Sequence, residues 1–305
     1  MKKILLIGGN GYAGCRLYDH LIERSYQVTN IDLCWFGKIF DETICEDYRY
    51  LTKEYINEFT HIILLAGHSS VSMCSDDLMS CFQNNVVNFA ALVEKINDQQ
   101  TLLYASTAAV YGNNSELVDE SFPLSGGISY YDHTKICGDN IAVLFPKKKL
   151  VGLRFGSVSG FSKSFRRENL LNAVTMSAIK DNKITVTNPL NFRSVLGMND
   201  FCKTFTTLIE ADNIKNRIYN LTSVNAKILE FAEQVKHLSD CELVINDSST
   251  TNYSFNCDNS LFQKDFNFKF QDTIESIYYD IVKNRHKIIS DLKRTPMRYH
   301  DQNTL

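Results

Sequence analysis

The stretch GGNGYAG, residues Gly8–Gly14, decides the fold of this 305-residue chain. It directly follows an apolar run, Lys3–Ile7, which predicts a β-strand, and it leads into a segment of helical period, Tyr12–Ser25. Glycines in this position let the backbone turn sharply, approach a pyrophosphate closely and present the amides of a helix N-terminus to its charge. We therefore expect a dinucleotide site that contains Gly8, Gly11, Tyr12 and Gly14.

Strand and helix patterns alternate through the first half of the chain. Further strands are predicted at Val28–Asp32, His61–Ala66, Leu102–Ser106 and Leu150–Phe155, and further helices at Leu78–Ile96 and Tyr131–Leu144. Such alternation is typical of right-handed crossovers and of a parallel sheet covered on both faces. We predict an α/β fold, a Rossmann doubly wound parallel sheet with a smaller C-terminal α/β substrate lobe.

The alternation becomes less regular after Gly156. We assign residues 1–156 to an NAD-binding Rossmann domain, with 191–212 returning to it, and residues 157–190 and 213–290 to a substrate-binding lobe. Residues 291–305 form a polar tail. The smaller lobe is expected to close over the carboxyl ends of the strands, where ligands bind in such sheets.

Asp32 ends the second predicted strand and points to the type of dinucleotide. A carboxylate there accepts both hydroxyls of an adenosine ribose and repels a 2′-phosphate, so NAD is predicted in preference to NADP. Arg16 is able to pair with such a phosphate, which leaves NADP open. Asp47 is a candidate acceptor for the adenine amino group, although an acidic loop residue is equally typical of plain surface.

Tyr131 and Lys135 lie one helical turn apart, on the helix between the fourth and fifth predicted strands. The lysine ammonium would lower the phenol's pKa from about 10, and a phenolate is a competent general base. Thr107 is expected at the carboxyl edge of the sheet, where its hydroxyl can bind a substrate oxygen and relay a proton to Tyr131. The alternatives are a surface helix pair and a capping threonine.

Composition excludes several other classes of protein. The formal net charge is −3, with 44% hydrophobic and 22% charged residues, so nothing favours nucleic acid or a membrane surface as a partner. The nine cysteines contain no Cys-x-x-Cys pair and no zinc-like cluster, and we interpret them as free buried thiols. The N-terminal apolar run stops at Gly8, too early for a signal peptide, so a cytoplasmic protein without a bound metal is expected.

These residues together resemble the extended short-chain dehydrogenase/reductase family, specifically its NAD-dependent epimerase/dehydratase group, which acts on nucleotide sugars. The resemblance covers most of the chain in an ordered series: Gly8-x-x-Gly11-x-x-Gly14, Asp32, Leu65-Ala66-Gly67, Asn85-Val86, Ser106-Thr107-x-x-Val110-Tyr111-Gly112, Tyr131-x-x-x-Lys135, Arg154, and Arg193 with Asp200.

The resemblance implies roles for individual residues. Tyr131 would be the base or acid, Lys135 its tuner and ribose clamp, and Thr107 the hydroxyl partner. Ala66 and Gly67 would line the cofactor cleft. Substrate contacts would come from His68, Ser70, Ser157, Asn169 and Arg193, the last of them holding the substrate pyrophosphate. For these the alternatives are a structural histidine, a helix-capping asparagine and a surface arginine. The helices Leu78–Ile96 and Tyr131–Leu144 would form a homodimer interface.

The chain also departs from the family pattern. Ala108 and Ala109 stand where 4,6-dehydratases carry an Asp-Glu pair, so that reaction is not expected. Ser157 replaces an asparagine of many relatives, and Thr250–Tyr253 offers no arginine to clasp a nucleotide ribose. Recognition of the base and ribose must therefore differ, or the substrate is not a standard nucleotide sugar.

The leading hypothesis is an NAD-dependent nucleotide-sugar epimerase that oxidises and reduces its substrate, at C4, through a keto sugar. An NAD(P)-dependent dehydrogenase or ketoreductase of the same family shares the first half-reaction and remains an alternative. A noncatalytic dinucleotide sensor is disfavoured because it has no need for Thr107, Tyr131 and Lys135 together.

Overall fold

We describe a computed structural model of the chain, which covers residues 2–35, 37–124, 127–246 and 253–288. The strands are β1 Lys3–Ile7, β2 Gln27–Asp32, β3 Ile44–Cys45, β4 His61–Leu64, β5 Thr101–Thr107, β6 Asn114–Val118, β7 Lys149–Phe155, β8 Ser157–Ser159, β9 Lys183–Thr187, β10 Phe192–Gly197, β11 Ile218–Leu221, β12 Val224–Lys227, β13 Glu242–Asn246 and β14 Phe255–Cys257. The predicted tail, 291–305, lies outside the described residues, as do Thr250, Thr251 and Asn252.

The helices alternate with the strands. They are α1 Tyr12–Glu23, α2 Lys53–Ile56, α3 Val71–Asp76, α4 Leu78–Phe82, α5 Asn88–Lys95, α6 Tyr130–Val143, α7 Leu170–Asp181, α8 Met198–Glu210, α9 Ile228–Ser239, α10 Ser260–Phe266 and α11 Ile274–Asn284. Among the described residues, none of these helices is both long enough and apolar enough to cross a lipid bilayer.

Seven parallel strands form the main sheet, in the order β11-β7-β5-β4-β1-β2-β3. Alternate side chains of each strand enter different apolar clusters: Ile4 and Leu6 pack on one face, and Leu5 and Ile7 pack on the other. Because both faces are buried, the central strands β1 and β4 are apolar runs without polar alternation. The predicted doubly wound α/β fold is confirmed.

The order in which the strands are added reverses at β1, since β2 and β3 lie on one side of it and β4 lies on the other. Such a reversal opens a crevice at the carboxyl ends of the strands. The glycine-rich turn follows β1, Asp32 ends β2, and Thr107 ends β5. The fold therefore brings these three parts of the sequence to the same edge of the sheet.

The predicted helix Leu78–Ile96 is interrupted. Between α4 and α5 the residues Gln83–Val87 form a π-helical turn, in which Asn84 and Asn85 are buried. A π turn inserts an extra residue and turns polar side chains inward, and such turns are frequent at functional sites. The Asn85 side chain accepts from the His68 backbone N–H at 2.9 Å and donates to the His68 carbonyl at 3.0 Å, so it fixes the segment after β4.

The second lobe consists of short sheets and helices. Its sheets are β12-β10-β8, β13-β9 and β14-β6. Helix α8 packs against α1 of the first domain, whereas β10, also within the predicted return 191–212, pairs with β12 and β8 of the second lobe. Strand β11 instead joins the main sheet beside β7, although the sequence analysis placed 213–290 in the second lobe. The reason is that β11 pairs in register with Gly152–Phe155, a contact that no local pattern encodes.

The cysteines correct one prediction. Cys34 is bonded to Cys45 and Cys74 to Cys81, so four of the nine are not free thiols. Pairing of β2 with β3 places Cys45 opposite Asp32 and hence next to Cys34. The remaining five are free: Cys15, Cys202, Cys241 and Cys257 are buried, and Cys137 is half-buried.

Candidate active site

The turn after β1 is packed so tightly that only glycine fits at two of its positions. Gly8 has a φ of +97°, and a Cβ there would lie 2.4 Å from the Ala66 backbone nitrogen. A Cβ on Gly14 would lie 2.0 Å from the Gly8 carbonyl oxygen. Gly11 is the N-cap of α1, so the free amides of that helix begin at this turn. The turn has the form that a pyrophosphate requires, and it fits NAD.

Asp32 lies beside this turn. Its Oδ2 accepts from the Asn10 backbone N–H at 2.8 Å, and its Oδ1 accepts from the Cys34 backbone N–H at 2.8 Å. Burial raises the pKa of Asp32, while the N–H groups of Asn10, Cys34 and Gly11 lower it. The carboxylate is therefore held in place beside the glycine-rich turn.

Thr107, Tyr131 and Lys135 meet at the other end of the cleft. Burial raises the pKa of Tyr131, and a hydrogen bond from Thr107 together with the positive charge of Arg166 acts against that rise. The Thr107 hydroxyl also accepts from the Ala109 backbone N–H at 3.2 Å, which fixes its position at the end of β5.

Lys135 is held close to Tyr131 but over its ring. Its Nζ donates to the Ala105 carbonyl at 2.9 Å and lies 5.9 Å from the centroid of the Tyr131 ring. Burial lowers the pKa of Lys135 to about 8, and Asp139 acts in the opposite direction. In this geometry Arg166 and Thr107 favour the phenolate, whereas the sequence analysis assigned that role to Lys135.

A single cavity of about 430 Å³ joins the two ends, a volume within the range of small-molecule and cofactor sites. Most of the predicted site residues line it: Gly8, Gly11, Tyr12, Gly14, Asp32, Ala66, Gly67, Ser70, Thr107, Tyr131, Lys135, Ser157 and Asn169. The residues predicted for dinucleotide binding and those predicted for proton transfer thus line the same cavity.

Three predicted residues are not among the described residues that line this cavity. Both oxygens of Asp47 are taken by Arg49, whose backbone N–H and guanidinium bind them at 2.9 and 2.8 Å. His68 is buried beneath the wall, and burial lowers its pKa to about 4. Arg193 donates to the Tyr253 and Phe192 carbonyls and packs on the Phe255 ring.

Arg16, the residue that left NADP open, also lies elsewhere. It donates to Asn199 on α8 at 3.2 Å and does not line the cavity.

The sequence analysis missed Trp35, Arg166 and Tyr253, which do line the cavity. The Arg166 guanidinium donates to the Ser69 carbonyl at 3.1 Å and to Glu168 at 2.7 Å. The Tyr253 hydroxyl hydrogen-bonds Asp132 and Ser129 at the start of α6. A cation and two aromatic rings in loops carry no distinctive spacing, so no pattern in the sequence marks them.

The chain is similar in sequence to proteins of one known family. Residues 4–222 match the model of the NAD dependent epimerase/dehydratase family. Protein CapI of Staphylococcus aureus is 24% identical over 278 residues, which are 77% of this chain and 83% of that protein. UDP-glucuronate 4-epimerase 4 of Arabidopsis thaliana is 31% identical over 184 residues, 52% of this chain but only 42% of that relative.

The fold is also found among solved structures. The structure of TunA, an NAD dependent NDP-hexosamine 5,6-dehydratase involved in tunicamycin biosynthesis, superposes with a TM-score of 0.83 at 18% identity and covers 95% of this chain and 100% of TunA. The matched residues 4–222 include the glycine-rich turn, Asp32, Thr107, Tyr131 and Lys135. The chain therefore belongs to the NAD-dependent epimerase/dehydratase family, whose members are enzymes of the extended short-chain dehydrogenase/reductase type.

Proposed function

We propose that this enzyme is a nucleotide-sugar 4-epimerase that keeps its NAD bound through the reaction. The observation that carries the proposal is the convergence of Thr107, Tyr131 and Lys135 on the cavity that also contains the glycine-rich turn and Asp32. The 4-epimerase named among the relatives supports the type of reaction, and Ala108-Ala109 argues against 4,6-dehydration, since no acidic pair follows Thr107.

In this mechanism Tyr131 takes the proton of the sugar hydroxyl and Thr107 holds that oxygen in place. NAD, when bound, would accept the hydride and afterwards return it. Lys135 would hold the nicotinamide ribose from the position that its bond to the Ala105 carbonyl fixes. The keto sugar turns within the cavity, and Tyr131 returns its proton once the opposite face of the sugar has been reduced.

Substrate contacts come from the second side of the cavity. Ser70, Ser157 and Asn169 line it together with Arg166, the side chain of which is only 16% exposed. Arginine suits planar anionic groups such as carboxylates and phosphates. We propose that Arg166, which is paired with Glu168, exchanges this partner for the carboxylate of the sugar, and that UDP-glucuronate is therefore a better substrate than UDP-glucose, which lacks that group.

The test is to incubate the purified enzyme with UDP-glucose, UDP-glucuronate and other UDP-, GDP- and CDP-sugars while NADH absorbance is recorded. We expect a C4 epimer without accumulation of NADH. Tyr131→Phe should lower turnover by about 10²–10⁴-fold, because the proton acceptor is lost, and should leave the NAD affinity unchanged. An active Tyr131→Phe variant would overturn the assignment.

The same assay separates the alternatives. Net formation of NADH, or turnover only with added oxidant, would assign a dehydrogenase or ketoreductase. Loss of water from the sugar, the reaction type of TunA, would assign a dehydratase instead.

We further propose that the enzyme is a homodimer. Helices α4 and α5 pack against α6 and leave several large apolar side chains exposed there: Leu78, Met79, Phe82, Val87, Tyr130 and Val143. Exposed apolar side chains on neighbouring helices are typical of a two-fold interface. By light scattering we expect a dimer that Phe82→Glu converts to monomer. The control is Ile22→Glu on α1, also an exposed apolar residue, which should remain dimeric.

A further inference from the structure

The Cys34–Cys45 pair lies at the edge of the main sheet, beside the residues that hold the adenosine end of NAD. Cys45 is exposed and Cys34 is half-buried, so a reagent in solution reaches the bond through Cys45. The other pair, Cys74–Cys81, is completely buried. The two pairs therefore differ in access, although both are bonded.

Cys34 contacts two residues of the dinucleotide site directly. Its backbone N–H donates to Asp32 Oδ1 at 2.8 Å, and its sulfur lies 3.3 Å from the side-chain amide nitrogen of Asn10 in the glycine-rich turn. Asn10 in turn donates its backbone N–H to Asp32 Oδ2 at 2.8 Å. Any movement of Cys34 is thus transmitted to both the ribose carboxylate and the phosphate-binding turn.

The backbone of Cys34 needs such an anchor. Its φ of +56° is in the left-handed region, which is unfavourable for a residue with a side chain and is retained only where the surroundings impose it. The bond to Cys45 is one such constraint, since Cys45 belongs to β3 and is paired with β2.

We propose that Cys34–Cys45 is a thiol–disulfide exchange site that sets the affinity of the enzyme for NAD. In the reducing direction a small dithiol attacks the exposed Cys45 sulfur and Cys34 leaves as a thiolate, next to the Asn10 amide. The second thiol of the reagent then resolves the mixed disulfide. Its two protons and two electrons pass to Cys34 and Cys45, and the reagent becomes a disulfide. Oxidised glutathione reverses the exchange and yields two molecules of glutathione.

Reduction of the disulfide would leave the Asp32 side chain less firmly held. Without its bond to Cys45, Cys34 leaves the left-handed conformation, and Asp32 loses the N–H donor that orients Oδ1. Loss of one hydrogen bond to a charged group corresponds to about tenfold weaker NAD binding. This inference rests on NAD binding by the family and not on the proposed epimerase reaction.

Trp35 provides the measurement. It is the sole tryptophan of the chain, and it lines the cavity next to Cys34. We would titrate the NAD-free enzyme with NAD by tryptophan fluorescence, once after dithiothreitol and once after oxidised glutathione, and count accessible thiols in each sample. We expect two more thiols and an about tenfold larger Kd for NAD in the reduced sample.

Two variants complete the test. Cys45→Ser should bind NAD weakly in both samples, because it cannot form the bond, whereas Cys137→Ser, which removes a half-buried free thiol, should respond as the wild type does. Circular dichroism confirms that each is folded, and the wild-type comparison stands even if Cys45→Ser is not. An equal Kd in the two wild-type samples, or a thiol count that neither reagent changes, would overturn the proposal. Since no sugar is present, the result is independent of the epimerase assignment.

Discussion

The Thr107 hydroxyl connects the end of β5 with Tyr131, the proposed proton acceptor. Its hydrogen bond favours the ionised Tyr131 and so lowers the pKa of Tyr131 against the rise that burial causes. Thr107→Val removes this bond and raises the Tyr131 pKa further, so less phenolate is present at neutral pH. We expect turnover at pH 7 to fall about tenfold, and the limb on which turnover rises with pH to move to higher pH.

A pH profile of kcat for the variant and the wild type checks this prediction. Thr107→Ser is the matched control, because it keeps the hydroxyl and removes only a methyl group; its profile should coincide with that of the wild type. A Thr107→Val profile that is lower at every pH but not displaced would mean that Thr107 acts by holding the substrate oxygen and not by lowering the pKa of Tyr131.

For single residues, the sequence predicts the position in a strand or loop well and the partners of the side chain poorly. Asp32 and Thr107 were predicted at strand ends, and the structure places them at the cavity because the carboxyl edge of a parallel sheet leaves a side chain few alternatives. Asp47 has a competing partner two residues away in Arg49, and Arg193 donates to the carbonyl of Tyr253, sixty residues further on. Such competition depends on contacts that a motif does not describe.

The contact between β7 and α6 depends on a buried ion pair beneath the active site. Arg154 Nε donates to Asp139 Oδ2 at 2.9 Å, and both side chains are 4% exposed. Tyr104 and Ser106 of β5 donate to the same carboxylate at 3.2 Å. The pair thus joins two strands to the helix that carries Tyr131 and Lys135.

Arg154→Met would leave the Asp139 charge buried without its cation. We expect the free energy of unfolding in urea to fall by about 3–5 kcal/mol. The control is the double variant Arg154→Met with Asp139→Asn, which removes the unpaired charge and should recover part of the loss. If the single variant is as stable as the wild type, the pair does not hold α6 to the sheet.

The elements that were predicted correctly are those whose pattern is local. The strands β1, β2, β4, β5 and β7 are apolar runs that follow one another with helices between them, and each was predicted to within two residues at either end. The strands β6 and β14 were not predicted: they pair with each other, so that Asn114 lies opposite Phe255. A three-residue strand whose partner is far away in sequence has no period from which to predict it.

Three histidines make the free energy of unfolding of the whole molecule depend on pH. Burial lowers the pKa of His20, His61 and His68 from 6.5 to about 4 in each case, so the folded enzyme keeps them neutral. Between pH 6.5 and 4 the unfolded chain binds these protons and the folded chain does not, so the free energy of unfolding decreases as the pH falls through that window. Each histidine contributes up to about 2 kcal/mol between pH 7 and pH 5.

His61→Gln isolates one of these contributions, because His61 is buried at the start of β4, away from the cavity. We expect the stability of this variant in urea to decline less between pH 7 and pH 5 than that of the wild type. His237→Gln, at an exposed position on α9, should decline as the wild type does. If His61→Gln and the wild type lose the same free energy, His61 does not contribute, and the loss in acid comes from other groups. It then cannot come from Asp32 or Asp139, whose pKa values are raised by burial, since a raised carboxylate pKa makes protonation favour the folded state.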